Sequence, residues 1–244
     1  MAVAAFAFLL FASRRRKRQG ESRPNVVDDA GPLSVGLKGA VVQNEFKSGK
    51  RYAAFLSHMK KEAGPTATLM SVELSAAIKM RGIEDFEVLI DNIHMKDLRA
   101  LPNQVKESRV MIAMLIKSYL TRPWCLAELH YALEFDVPIL ALKVNDAGYN
   151  FEEGKEFLNA LTPEKLEEAN PGASKEMARL GIDVTALGRK LFVILPSSVA
   201  LEFSPNSHPD IRRVQLDIIV KELIRMDQAA QAQRDGAGAG AAAV

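Results

Sequence analysis

The chain has 244 residues, of which 48% are apolar, so it is long enough for one α/β domain with a real hydrophobic core. Its net charge is +2, but the run Arg14–Arg18 alone contributes +5 and leaves −3 on the rest. This balance argues against a nucleic-acid partner for the folded part. The single cysteine, Cys125, excludes an intrachain disulfide and argues against a cysteine zinc site.

The two ends of the chain differ in composition from its middle. Met1–Ala12 is apolar, but a membrane-spanning helix needs about 20 such residues, and the basic run follows this stretch instead of preceding it. We therefore expect a cytoplasmic protein in which residues 1–48 are a disordered N-terminus and linker, with weak membrane association of the apolar stretch left open. Low complexity predicts a disordered tail at 228–244, which leaves the folded domain at 49–227.

Apolar patterning inside this domain alternates between strand-like runs and helical spacing. In chain order it predicts a strand at 51–57, a helix from Thr66 to 80 after a turn at Gly64–Pro65, a strand at 86–90, a helix at 96–105, a strand at 110–116, a helix at 123–135, a strand at 137–144, helical stretches near 152–168 and 173–180, a strand at 190–195 and a helix at 208–226. Such alternation predicts an α/β fold, a flavodoxin-like five-stranded parallel sheet with helices on both faces and a long insertion at 145–188.

The helix predicted to begin at Pro123 carries the most informative pair of residues. Trp124, the only tryptophan, and Glu128 are four residues apart and therefore share a helical face. The helix follows the carboxyl end of a strand, where open α/β sheets hold their ligands. The pattern favours a site around this carboxylate; the alternative is a solvated glutamate favoured near a helix start by the helix dipole.

Several segments resemble the TIR (Toll/interleukin-1 receptor) domain family, in its NAD-cleaving type. Tyr52–His58 is similar to the family's opening box, and Val88–Asp91 resembles its second strand with a terminal Asp. The most specific match is Arg122–Leu129, which reads Arg-Pro-Trp-Cys-Leu-Ala-Glu-Leu and follows Ser118–Tyr119. The resemblance covers roughly residues 49–226 and implies the TIR fold.

The resemblance implies an NAD⁺ hydrolase that cleaves the bond between nicotinamide and ribose, with Glu128 as the catalytic carboxylate. Nicotinamide leaves a cationic ring as a neutral molecule, so one carboxylate that stabilises the oxocarbenium-like ribose is chemically sufficient. NAD⁺ is then the substrate, and no bound cofactor is implied. No metal is implied either, because the four histidines show no ligand spacing.

Other side chains are expected around the substrate pocket. In order of preference these are Trp124, Ser57 and Phe55, followed by His58, Asp91 and Tyr119. Ser57 could hydrogen-bond a ribose or phosphate, the backbone of Phe55 could approach nicotinamide, and the indole could stack on nicotinamide or ribose. Core packing is the alternative for the three aromatic residues, a surface turn for the histidine and a strand-end cap for the aspartate.

The resemblance also implies partners and a setting. In the family, a loop of one domain completes the pocket of the next, so self-association is expected to activate the enzyme in a signalling or defence role. Contact with other TIR proteins is left open. The alternative is a non-catalytic TIR–TIR interaction or adaptor module, and a third reading is a transferase that acts on other N-glycosides.

Overall fold

The computed structural model describes residues 46, 48–83, 87–90, 100–195 and 200–241, with side chains through residue 236. Within these residues the strands are β1 Tyr52–Ser57, β2 Glu87–Ile90, β3 Ser108–Leu115, β4 Ile139–Val144 and β5 Leu201–Phe203. They form one sheet in the order β2-β1-β3-β4-β5, with every neighbouring pair parallel. This arrangement confirms the predicted flavodoxin-like α/β fold.

Helices connect the strands of this sheet. They are α1 Lys60–Met80, α2 Leu101–Lys106, α3 Pro123–Glu134, α4 Phe151–Asn159, α5 Pro163–Ala169, α6 Ala173–Arg179, α7 Val184–Ile194 and α8 Pro209–Ala241, with a 3₁₀ turn at Tyr119–Thr121. Helix α1 packs beside α8, while α3 packs against α2 and α6. The predicted insertion at 145–188 therefore holds α4, α5, α6 and the start of α7.

The two central strands β1 and β3 are buried along their whole length. Their nearly continuous apolar runs are typical of parallel strands that are covered on both faces. Ser57, the last residue of β1, pairs in register with Ala113 of β3. A polar residue is thus carried to the carboxyl end of the sheet, inside the core.

The fifth strand lies elsewhere than the sequence predicts. The expected strand at 190–195 is wrong, because these residues belong to the end of α7 and to the turn after it, and β5 follows at Leu201. The Asp183 carboxylate accepts a hydrogen bond from the Ala186 amide at 2.9 Å and caps the helix. The buried face of α7 has helical spacing, with Val184, Leu187 and Leu191. A short apolar run suits both a strand and a helix, so the run alone was ambiguous.

Helix α1 begins at Lys60, six residues before the predicted start at Thr66. The predicted turn at Gly64–Pro65 is wrong, because both residues lie inside the helix. The Met59 sulfur accepts a hydrogen bond from the Glu62 amide at 3.1 Å and supplies the N-terminal cap. Pro65 is the sixth residue of this 21-residue helix, so its missing N–H removes one backbone hydrogen bond near the start of the helix.

Helix α8 continues to Ala241, through residues that the sequence predicts as a disordered tail from position 228. The segment after Asp227 is rich in Ala and Gln, which favour helix and extend the packed part of α8. The difference arises because low complexity describes composition, whereas helix propensity acts residue by residue.

Some predictions lie outside the described residues. They are the apolar stretch Met1–Ala12, the linker up to residue 45, the start of the second predicted helix at 96–99, and Asp91. Among the helices that are described, none combines the length and the apolar character needed to cross a membrane.

A buried polar cluster joins the start of β1 to α8. Asp227 is fully buried and accepts hydrogen bonds from the Ser48 amide at 3.1 Å and from the Ser48 hydroxyl at 2.5 Å. The Arg109 guanidinium, also buried, donates to the Ser48 carbonyl at 2.6 Å and lies over the Phe46 ring. Since these groups are removed from water, each needs its protein partner.

We predict that Asp227→Ala lowers the free energy of unfolding by about 3 kcal/mol, because two donors of Ser48 and the nearby guanidinium lose a buried carboxylate. Urea unfolding followed by circular dichroism measures the change. The matched control is Asp235→Ala, an exposed position on the same helix, for which we expect a change within about 0.5 kcal/mol. Equal midpoints for the two variants would contradict a stabilising role of the cluster.

Candidate functional site

A pocket of about 510 Å³ lies beyond the carboxyl end of β1, at the start of α3. Its walls come from His58–Lys61 at the start of α1, from Leu101 of α2, from Arg122–Cys125 with Glu128, and from the α5–α6 turn at Asn170–Ala173 with Glu176. Four separate parts of the chain therefore converge on it. The position is the one at which open parallel sheets hold ligands.

Glu128 lies at the base of this pocket, with 1% of its surface exposed. The Ser57 hydroxyl donates a short hydrogen bond to Glu128 Oε2, so the end of β1 holds the carboxylate of α3. A carboxylate needs such partners when it is buried, because removal from water penalises its charge. The sequence alternative of a solvated surface glutamate does not fit this burial.

Tyr119 completes a chain of hydrogen bonds behind Glu128. Its hydroxyl lies 2.6 Å from Ser57 Oγ, and both side chains are fully buried. Since a serine hydroxyl has one proton, which Ser57 gives to Glu128, Tyr119 donates to Ser57. Burial, reinforced by nearby Cys125 and Glu128, raises the pKa of Tyr119 well above its usual value, so the phenol keeps its proton at neutral pH.

Trp124 and His58 line the same pocket as Glu128. The half-buried indole packs against the core, and its helical spacing places it on the Glu128 side of α3. His58 is buried, with Nδ1 at 3.2 Å from the Leu56 carbonyl oxygen. A carbonyl only accepts hydrogen bonds, so Nδ1 carries the proton in this contact. The surface-turn alternative for His58 is therefore not what the structure has.

The remaining predicted site residues occupy other places. Phe55 is fully buried in the core, as its alternative interpretation has it, and is not among the described residues that line the pocket. Ser57 and Tyr119 also lie behind the pocket surface, where they hold Glu128 instead of facing a ligand. Asp91 lies outside the described residues, and its role stays a prediction.

The wall formed by the α5–α6 turn was missed by the sequence reasoning. Asn170 Nδ2 donates to the Thr121 carbonyl at 2.9 Å and thereby fastens the turn to the start of α3. Gly172 has a φ of 88°, a conformation suited to glycine, and its amide donates to the Glu167 carboxylate at 2.7 Å. This segment has no motif of its own. Only the Pro-Gly pair after Asn170 marks it as a turn.

Cations surround the pocket mouth, while its base is acidic. Lys60 and Lys61 are exposed at the rim. Arg122 is half-buried beside them and forms an ion pair with Glu62 at 3.3 Å. Such a distribution suits a ligand with an anionic group at the mouth and a centre of developing positive charge near Glu128.

We predict that Tyr119→Phe makes stability less sensitive to alkaline pH. Above a pH of about 10 the unfolded chain loses phenolic protons that folded Tyr119 retains, so the wild type loses stability as pH rises towards the raised folded pKa. The variant lacks this contribution. At neutral pH it should lose about 1 kcal/mol with the hydrogen bond to Ser57. Urea unfolding at a series of pH values measures both effects, and parallel curves for the two proteins would contradict the assignment.

Comparison with known proteins finds a similarity to a protein family and to a solved structure. Residues 69–144, which include Trp124 and Glu128, match the family model of the TIR domain. No curated protein matches the chain. The TIR domains in the structure of the activated Roq1 resistosome directly recognising the pathogen effector XopQ are similar, with 15% identity and a TM-score of 0.46 over 70% of this chain and 98% of that one. The part of the chain that contains Trp124 and Glu128 is therefore similar to the TIR domain family.

Proposed function

We propose that this TIR domain hydrolyses NAD⁺ at the bond between nicotinamide and ribose. The observation that carries the proposal is the buried carboxylate of Glu128 at the base of a pocket of about 510 Å³. Pockets for small molecules commonly measure about 300–1,000 Å³, so a dinucleotide is of suitable size. The resemblance of Arg122–Leu129 to the NAD-cleaving members of the family supports the same reaction.

The chemistry places few demands on the protein. As the bond between ribose C1′ and the nicotinamide nitrogen breaks, its electron pair stays on nicotinamide, which leaves neutral, and positive charge develops on the ribose. Glu128 stabilises that charge, and its low-dielectric surroundings strengthen the attraction. Water then adds to C1′ and releases a proton, which gives ADP-ribose; attack from within the substrate would give a cyclic product instead.

Other residues orient the substrate in this proposal. Trp124 offers a flat face for nicotinamide, and the rim cations Lys60, Lys61 and Arg122 attract the pyrophosphate. Ser57 and Tyr119 act as positioning residues, because they hold the Glu128 carboxylate without lining the pocket. The site would therefore act on substrates that combine a phosphate anion with a cationic leaving group.

We predict that Glu128→Gln lowers the rate of nicotinamide release from NAD⁺ by at least about 100-fold, a typical cost of removing a preorganised charge from a reaction centre. The amide keeps the size and the acceptor oxygen that Ser57 needs, so the melting temperature tests whether the fold survives. The matched control is Glu134→Gln, an exposed position on the same helix, for which the rate should stay unchanged. Equal rates for wild type and Glu128→Gln would remove the proposed role.

Self-association is the second part of the proposal. A stripe on α8 exposes Ile211, Val214 and Ile218, and Val72 and Met80 of α1 are also exposed. Helices α1 and α8 are joined by the ion pair between Arg212 and Glu73 at 2.8 Å. Exposed apolar groups that are gathered on neighbouring elements mark interaction surfaces. We propose that copies of the domain associate through this α1/α8 face and that association raises the turnover.

We predict that nicotinamide release rises more steeply than linearly with protein concentration, and that Val214→Lys reduces this steepness because a charge on the stripe opposes its burial. Rates across the micromolar range, with sedimentation at the same concentrations, measure the effect. Strict proportionality for wild type would count against activation by assembly. No release even from artificially clustered wild type would favour the non-catalytic interaction module instead.

A further inference from the structure

A second groove lies at the opposite end of the sheet from the catalytic pocket. It measures about 810 Å³ and is lined by Ser48–Arg51 before β1, by Asn103, Lys106 and Glu107 at α2, by Phe135 after α3, and by Gln231 and Arg234 of α8. We call it the basal groove. Since Arg51 and Glu107 directly precede β1 and β3, the groove is at the amino-terminal end of these parallel strands.

The charge of the basal groove is strongly unbalanced. Its lining contains four cations, Lys50, Arg51, Lys106 and Arg234, and one carboxylate, Glu107. None of the four cations forms an ion pair with another residue of the described part. Many other surface cations in that part do have such partners, for instance Arg179 with Glu176 at 2.7 Å. The contacts of these four side chains are with uncharged groups, and cations that converge without a carboxylate partner attract an anion.

The pKa of Lys50 reflects its burial and the excess of positive charge in the groove. Burial, followed by the charge of Arg234, lowers the pKa of its ammonium to about 8. Its ammonium donates to the Ser108 carbonyl at 2.9 Å. The charged groups around it come from α8, β3, α2 and the turn after α3; they are Arg234, Asp227, Arg109, Lys106, Glu107 and Asp136. An anion in the groove would restore the usual pKa and so draw a proton onto Lys50 near pH 8.

The uncharged lining adds a second recognition element. Phe135 presents an aromatic ring next to Lys106, whose ammonium lies 5.6 Å from the ring centroid. The side-chain amides of Asn103 and Gln231 also line the groove and can both donate and accept hydrogen bonds. An aromatic ring, amides and clustered cations are the groups that recognise a base and its phosphates.

We propose that the basal groove binds a nucleoside polyphosphate, with the phosphates on Lys50, Arg51 and Arg234 and the base against Phe135. The four cations Lys50, Arg51, Lys106 and Arg234 all line this one groove, and the chain outside Arg14–Arg18 carries a net charge of −3. A small polyanion therefore fits better than a nucleic acid, which needs an extended basic surface. This site is separate from Glu128, so it stands whether or not the domain hydrolyses NAD⁺.

The test is calorimetric titration of the full chain with ATP, inorganic triphosphate and adenosine. We expect ATP to bind, and Lys50→Met combined with Arg234→Gln to weaken it at least about tenfold, as the loss of charge-assisted hydrogen bonds implies. Melting temperatures check that the variants fold, and Arg234→Gln alone, at a surface position of α8, gives a second readout. The matched control is Lys155→Met at an exposed position of α4, outside both pockets, which should leave ATP affinity unchanged.

Each outcome decides part of the proposal. Near pH 8, binding of ATP should be accompanied by uptake of a proton by Lys50. The measured heat of binding should then depend on the ionisation enthalpy of the buffer. Lys50→Met should abolish this dependence. Failure of ATP to bind, equal affinity in the double variant, or an equal loss of affinity in Lys155→Met would overturn the basal site. Triphosphate binding as tightly as ATP would overturn the role of the base. A single-stranded oligonucleotide binding more tightly than ATP would overturn the small-ligand assignment.

Discussion

The hydrogen bond from Ser57 to Glu128 is the interaction on which the proposed site depends. It joins the end of β1 to the second turn of α3, and Tyr119 supports it from behind at 2.6 Å. A buried carboxylate without such donors would be driven to protonate or to turn towards solvent. The core of the sheet thus fixes the position of the one group that the proposed chemistry requires, because β1 is buried along its full length.

The pocket around Glu128 combines parts of different origin. Its base is made by β1 and α3, which belong to the sheet and its cover, whereas one wall is the α5–α6 turn from the insertion. The bond from Asn170 to the Thr121 carbonyl joins the two parts. The floor of the pocket is held by the core, whereas this wall is held by a few surface hydrogen bonds, so the wall has the lower local stability. Substitutions in this turn are therefore a route to an altered pocket shape that leaves Glu128 in place.

The two ends of the parallel sheet have different electrostatic character. At the carboxyl end, cations surround a buried acid, which suits a ligand of mixed charge. At the amino-terminal end, the basal groove gathers four cations around one carboxylate, next to the buried cluster of Arg109 and Asp227. That cluster fixes Ser48 and α8, two elements that form the groove. A ligand there would bind to segments that also hold β1, and β1 carries Ser57 at its other end.

Local pattern in the sequence determined the α/β class, the buried central strands and the shared face of Trp124 and Glu128, because each depends on residues only a few positions apart. The same local reasoning misplaced the fifth strand and the start of α1, where a short apolar run or a Gly-Pro pair suits more than one structure. Only the tertiary structure decided that Ser57 and Tyr119 hold Glu128, that Phe55 is core, and that Asn170–Ala173 walls the pocket. The hydrogen bonds among them join residues 49 to 71 positions apart. Packing of the whole sheet, which no short window of sequence contains, brings these residues together.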